Sequence, residues 1–192
     1  MSIYEKTVNY LISQNIISPN KKDIYMYGFE LLFADILNFS VIFTIGIILC
    51  GFSPTSIYCV VFIFLRSFCG GYHSNTHLRC HICTIGIFII FIVLFKVLTN
   101  NNNFVIFIID LIAYIPILVF SPIEHKNKPL SEINRKHNRL VSIIAFPFLI
   151  FIAVFLQFLR LKEGLAISLT LWIVSLCMIP TINIYNFKNR RI

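Results

Sequence analysis

Long apolar stretches separated by short, mostly basic connections dominate the chain. Six are apparent: Leu31 to Phe52, Thr55 to Leu65, Ile82 to Leu98, Phe104 to Phe120, Leu140 to Leu159, and Leu165 to about Ile184. A helix rises about 1.5 Å per residue and a hydrocarbon core is about 30 Å thick, so all but the second are long enough to cross. Thr55 to Leu65, taken alone, is short enough to be re-entrant or interfacial. Gly51-Phe52-Ser53-Pro54 reads as the turn before it, Ser121-Pro122 as the stop of the fourth stretch, and Pro180 as a kink in the sixth.

The N-terminal thirty residues follow a different pattern. Tyr4, Val8, Leu11, Ile12 and Ile16 recur near helical spacing with Glu5, Lys6, Asn9 and Ser13 between them. This predicts an amphipathic helix lying on a membrane face or on the bundle. Ser18-Pro19-Asn20 breaks it, and Lys21, Lys22 and Asp23 open a second helix that runs into the first apolar stretch.

Composition agrees with the pattern. With 58% hydrophobic and 12% charged residues, the balance is not that of a water-soluble globule. The expected fold class is all-α: one polytopic membrane domain over residues 1–192, with six transmembrane helices, the second short. Lys6 and Glu5 near the start argue against a cleavable signal peptide. The net charge of +8 does not indicate nucleic acid, because the cations sit in the connections between apolar stretches. They are topology signals. If the short second stretch spans, one side carries Lys6, Lys21, Lys22, Arg66, Arg79, the basic loop 121–139, Lys188, Arg190 and Arg191. The other keeps Arg160 and Lys162, with Lys96 near its surface. The excess of positive charge then places both termini and the loop after Leu65 in the cytoplasm.

That loop, Arg66 to Cys83, holds the chemistry. It reads Arg-Ser-Phe-Cys-Gly-Gly-Tyr-His-Ser-Asn-Thr-His-Leu-Arg-Cys-His-Ile-Cys and contains three of the five histidines and three of the six cysteines. A thiol beside an imidazole is the minimum equipment for nucleophilic attack on a carbonyl. Ser74, Asn75 or Thr76 can cap the helix of the third span and place Cys80 in its first turns. There the helix dipole and Arg79 favour thiolate over thiol. As base for Cys80, His77 is the local choice, three residues away on a regular helix. His73 is seven away, about 10.5 Å along a straight axis, and serves only if its segment folds back over the helix start. Gly70-Gly71 supplies the freedom for that. A metal reading stands beside the catalytic one: His73, His77 and His81 at four-residue steps, with Cys80 and Cys83, offer nitrogen and sulfur ligands. A third reading is a plain connection between two spans of a scaffold or transporter.

The pattern Arg66-x3-Gly70-Gly71-x-His73-x6-Cys80 resembles that of the accessory gene regulator B (AgrB) family of integral-membrane cysteine endopeptidases. Ser121-Pro122 followed by Asn127-Lys128-Pro129-Leu130 is similar to that family's basic segment after its fourth span. The resemblance implies Cys80 as nucleophile, His73 as its base, and Arg66 and Gly71 at functionally important flanking positions, with His77 as the alternative base. It also implies an AgrD-type propeptide as substrate, no cofactor, a homodimer, and the plasma membrane of a Gram-positive bacterium as location. The propeptide would lose its C-terminal tail and close into a thiolactone or lactone, making the chain part of quorum sensing.

Outside the loop, Asp35 lies in the inner half of the first span and Asp110 in the outer half of the fourth. Intramembrane carboxylates are costly and point to function by default. Asp35 is the candidate to orient the histidine, against a reading as a hydrogen-bonded structural carboxyl; Asp110 reads as structural. Lys126, Lys128 and Arg135 form a basic surface for an acidic propeptide tail or for anionic lipid headgroups. Trp172, Cys69, Cys83 and Cys177 read as packing residues.

Overall fold

The computed structural model describes the backbone of residues 3–70, 77–99, 103–123 and 131–189, with side chains in those segments except at 3–4, 31, 77–80 and 179–189. Among the described residues there are seven α-helices: α1 (Ile3–Ser13), α2 (Lys22–Cys50), α3 (Phe52–Cys69), α4 (His77–Leu98), α5 (Asn103–Phe120), α6 (Glu132–Phe158) and α7 (Lys162–Asn189). Among the described residues there is no strand, and a single turn of 3-10 helix, Pro19–Lys21, leads into α2. The fold class is the expected one.

Five segments are long and apolar enough to cross a membrane: Pro19–Cys50, Phe52–Cys69, His81–Leu98, Asn103–Phe120 and Glu132–Phe158. Between 18% and 33% of each is buried inside the bundle, so most of their apolar surface faces outward. Ile48 at 76% exposure and Phe151 at 69% typify that surface, which water would not tolerate and lipid does. The sixth predicted span falls on α7, whose described side chains end at Met178. It is the central helix: α3, α4, α5 and α6 all pack on it, and every residue from Gly164 to Leu171 is buried. A helix apolar all round and enclosed all round is a core helix.

The second span differs from its expected length. α3 has 18 residues, about 27 Å of helix, which is within the length range of membrane-spanning helices. Phe52-Ser53-Pro54 does not make the turn. Gly51 alone does, at φ 92°, and Pro54 sits in the first helical turn, where its missing N–H has no partner to lose. The helices also outrun the apolar stretches at their basic ends. α2 starts at Lys22 and α6 at Glu132, where Ser131 caps the helix by accepting the Asn134 N–H at 3.3 Å. Much of the supposed loop 121–139 is therefore helix.

α1 packs on α2 with Val8 and Ile17 buried, while Ile16, expected on the apolar face, is 69% exposed. Asn15 explains the swap. At φ 56° it ends α1 in a left-handed turn, with Ile16 N–H donating to the Leu11 carbonyl, which rotates Ile16 outward. Arg160, at φ 59°, ends α6 the same way, with the Leu161 N–H donating to the Leu156 carbonyl.

Aromatic rings fill the seam between α3 and α4. Tyr58 lies 4.6 Å from Phe91 and 4.9 Å from Phe88 between ring centroids, and stacks on Phe62 at 5.4 Å. Near one end of this seam Gly46 lets α2 close in: a Cβ there would overlap Thr55 and Phe88. Towards the other end the seam opens into a cavity.

Candidate active site

The connections after α3 and α5 and the start of α6 share one end of the bundle, where α3 closes against the chain after α5. The Ile123 N–H donates to the Cys69 carbonyl at 3.0 Å, and Gly70 and Ile123 form an isolated bridge. Gly70, at φ 73°, stands so near the Ile123 backbone that a Cβ would collide with its carbonyl. The first glycine of the pair thus serves a close approach between two backbones of this chain. Those backbones belong to the two sequence motifs, Arg66 to Cys80 and Ser121 to Leu130.

Arg66 lies in the last turn of α3, and its Nη1 donates to the Gly70 carbonyl at 3.3 Å. A guanidinium at a helix C-terminus satisfies a carbonyl that the helix leaves free and sits favourably on the negative end of the dipole. The same arginine lines a half-open cavity of about 590 Å³ between α2, α3, α4 and α7, in which Asp35 and Cys83 are exposed. Asp35, Asn38 and Phe39 come from α2; Phe62, Ile63, Arg66 and Ser67 from α3; Cys83, Thr84, Gly86, Ile87 and Ile90 from α4; and Cys177 from α7. Two predicted site residues, Arg66 and Asp35, are therefore brought to one cavity.

His77 and Cys80 lie in the first turn of α4, the start the sequence predicts, and their side chains fall outside the described set. His73, Gly71, Lys126 and Lys128 lie outside the described residues. Cys83 and Thr84 follow Cys80 by three and four positions, so the cavity wall on α4 continues the helical stripe that starts at Cys80. Arg135 is exposed in the first turn of α6. Among the described residues no three His, Cys, Asp or Glu side chains gather as a metal site would require. Of the ligand set that the sequence offered, His73, His77 and Cys80 are outside the described side chains.

Cys83 and Cys177 were read as packing residues and instead line the cavity; the three-residue step from Cys80 was the signal for Cys83. Cys177 carried none, because its approach depends on how α7 crosses α4.

The polar groups at the opposite end are structural ties. Ser53 Oγ donates to Glu163 Oε1 at 2.8 Å, joining α3 to α7, and Asn103 Nδ2 donates to the Gln157 carbonyl at 3.2 Å, joining α5 to α6. Asp110 is fully buried and accepts from Trp172 Nε1 at 2.6 Å and from Ser168 Oγ at 2.8 Å; Gln157 Nε2 donates to that hydroxyl at 2.9 Å. The structural reading of Asp110 fits this network, and Trp172 does more than pack. A second cavity, about 430 Å³, opens beside this network between Thr99, Asn103, Gln157, Arg160 and Lys162.

An all-α bundle with a lipid-facing exterior, with Arg66, Cys83 and Cys177 lining one cavity, defines a polytopic membrane protein. The family described as Accessory gene regulator B matches residues 4–181, and the chain belongs to that family. It is 27% identical over 193 residues to a Putative AgrB-like protein of Clostridium beijerinckii, covering 96% of this chain and 92% of that protein. No solved structure matches it. Family membership gives the chain a role in the agr quorum-sensing system and links it to an AgrD propeptide in a membrane setting.

Proposed function

We propose that the chain is a membrane-embedded cysteine endopeptidase that cleaves an AgrD-type propeptide and cyclises it. The Cys80 thiolate attacks the scissile carbonyl, the C–N bond breaks, and the departing amine takes a proton from the His73 imidazolium. A thioester remains on Cys80. An internal thiol or hydroxyl of the peptide then attacks that thioester carbonyl, His73 accepts its proton, and Cys80 leaves as thiolate. Exchange of one thioester for another is near neutral, so the ring closes as a thiolactone with no nucleotide; a hydroxyl gives a lactone.

The observation that supports this reading is the cavity in which Arg66 and Asp35 meet the α4 stripe leading from Cys80. A partly apolar recess next to the nucleophile favours attack by the bound peptide over attack by water. Arg66, pinned to the Gly70 carbonyl, holds the end of α3 where the segment carrying Gly71 and His73 begins. Asp35 is the group proposed to orient the imidazole. Lys126, Lys128 and Arg135 receive the acidic tail. In this reading the site and both termini face the cytoplasm of a Gram-positive cell, and the protein works as a homodimer.

Cys80→Ala tests the mechanism directly: cleavage of a propeptide that the wild type processes should vanish, and retained cleavage would sink the thiol mechanism. Comparing His73→Ala with His77→Ala identifies the base. Loss of activity only in His73→Ala is expected; loss only in His77→Ala would reassign the role.

A further inference from the structure

We infer that the cavity between α2, α3, α4 and α7 is the side-chain subsite for the propeptide residue on the acyl side of the scissile bond, with Gly86 setting its size. The inference rests on the peptidase reading above and adds a specificity determinant to it.

Position comes first. Cys83, Thr84, Ile87 and Ile90 line the cavity from the helical face that carries Cys80, and side chains on a helix lean towards its N-terminus. Along α4 the lining therefore begins three residues, or about 5 Å of helix rise, beyond the backbone position of Cys80. The cavity's lining is graded in the same sense. Asp35, Asn38, Arg66 and Ser67 give it polar groups suited to peptide backbone, while Phe39, Phe62, Ile87 and Ile90 give it apolar walls. At about 590 Å³ it falls within the range of about 300–1,000 Å³ usual for ligand clefts.

The helical glycines supply the second argument. Glycine inside a helix is less favourable than alanine, and a neighbour that excludes a Cβ is one reason to find it there. Gly46 has one, since a Cβ would overlap Thr55 and Phe88, and Gly164 has one against Ala153 and Gln157. Gly28, which does not line the cavity, has no such neighbour, and neither does Gly86: a Cβ added there would meet nothing within 4 Å. Gly86 lines the cavity, so what its missing side chain provides is room.

The acyl side follows from the order of events. After the tail departs, the acyl half is held by its thioester to Cys80 and must be oriented and shielded from water until its own nucleophile reaches the carbonyl. The contacts that do this lie on its side of the bond, and this cavity is an apolar recess on the α4 stripe that continues from Cys80. A polar tail gains nothing from Phe39 or Ile90.

The test uses the full-length protein in liposomes and an AgrD-type propeptide that it cleaves, with the residue before the scissile bond set in turn to Ala, Leu and Phe. Gly86→Ala, Gly86→Val and Gly86→Phe fill the cavity in steps. The ratio of kcat/KM for the Phe peptide to that for the Ala peptide should fall progressively, by about tenfold or more at Gly86→Phe, the scale of hydrophobic-pocket discrimination. Gly86→Ala and Gly86→Val carry the test should the Phe variant not fold. A ratio unchanged along the series overturns the inference. So does a series in which only bound lipid and thermal stability change, which would assign the cavity to an acyl chain. Cleavage that survives Cys80→Ala overturns the peptidase reading as well; cleavage that needs Cys80 with a flat Gly86 series overturns the subsite alone.

Discussion

Gly70 and Asp110 are two residues whose types the sequence displays and whose reasons only the fold supplies. Gly70 holds φ 73° against the Ile123 carbonyl. Gly70→Ala therefore meets both a left-handed backbone and a collision, and should lower stability by about 2 kcal/mol or more, read as a fall in melting temperature in detergent. Gly86→Ala, in open space, should leave melting unchanged or raise it. At Asp110 the two carboxylate oxygens take separate donors, Trp172 and Ser168. Asp110→Asn keeps one acceptor of the right shape, whereas Asp110→Leu leaves an indole N–H and a hydroxyl buried without it. At about 1–3 kcal/mol for each buried group left unsatisfied, the Leu variant should melt well below the Asn variant. The sequence marked Asp110 by its place in an apolar stretch, and marked Gly70 by its motif. It could not mark their partners, because Trp172 and Ile123 are brought in by helix packing and nothing local in either residue announces it. For the same reason the hydrogen bond from Arg66 to the carbonyl of Gly70, which closes α3, was invisible while the importance of Arg66 was not.

Between elements, hydropathy located where the chain becomes greasy and underestimated where it becomes helical. Thr55 to Leu65 is the apolar middle of α3, and the polar ends from Phe52 and to Cys69 are helical because Pro54 fits a first turn and Arg66 a last one. Glu132 likewise starts a helix well before its span, as Lys22 does where the charged opening of α2 was legible, since charged residues sustain a helix in water as readily as apolar ones do in lipid. What alternation and length could not reveal is the seam that joins α3 to α4. Tyr58 sits there fully buried between Phe62, Phe88 and Phe91, and its hydroxyl has no hydrogen-bond partner among the described residues. Tyr58→Phe keeps the rings and removes the unsatisfied group, so it should stabilise the bundle by about 1 kcal/mol. Tyr58→Ala empties the seam and should cost about 3–5 kcal/mol. Thermal unfolding of the two variants beside wild type checks both signs; a destabilised Phe variant would mean that the hydroxyl has a partner.

At the scale of the molecule, the two ends of the bundle are built differently, and that difference predicts orientation. One end is tied by neutral and acidic groups, Ser53 to Glu163 and Asn103 to Gln157, with Arg160 and Lys162 beside its cavity. The other carries Lys21 and Lys22 at the start of α2, Arg66 closing α3, and Arg135, Lys136 and Arg139 on the first turns of α6. Cations near an anionic inner leaflet each contribute about 1 kcal/mol, and a polytopic chain inserts so that the richer side stays inside. The cavity with Arg66 and Asp35 belongs to the richer side, so orientation decides whether a propeptide made in the cytoplasm can reach it before crossing. Single cysteines at Arg135 and at Lys162, in a protein whose native cysteines are replaced by Ala or Ser, report the two ends. A membrane-impermeant maleimide applied to intact cells should label Lys162→Cys at once and Arg135→Cys only after the membrane is opened. The reverse pattern would put the Arg66 cavity outside the cell, where an uncrossed propeptide never meets it, and would overturn the proposed cytoplasmic site.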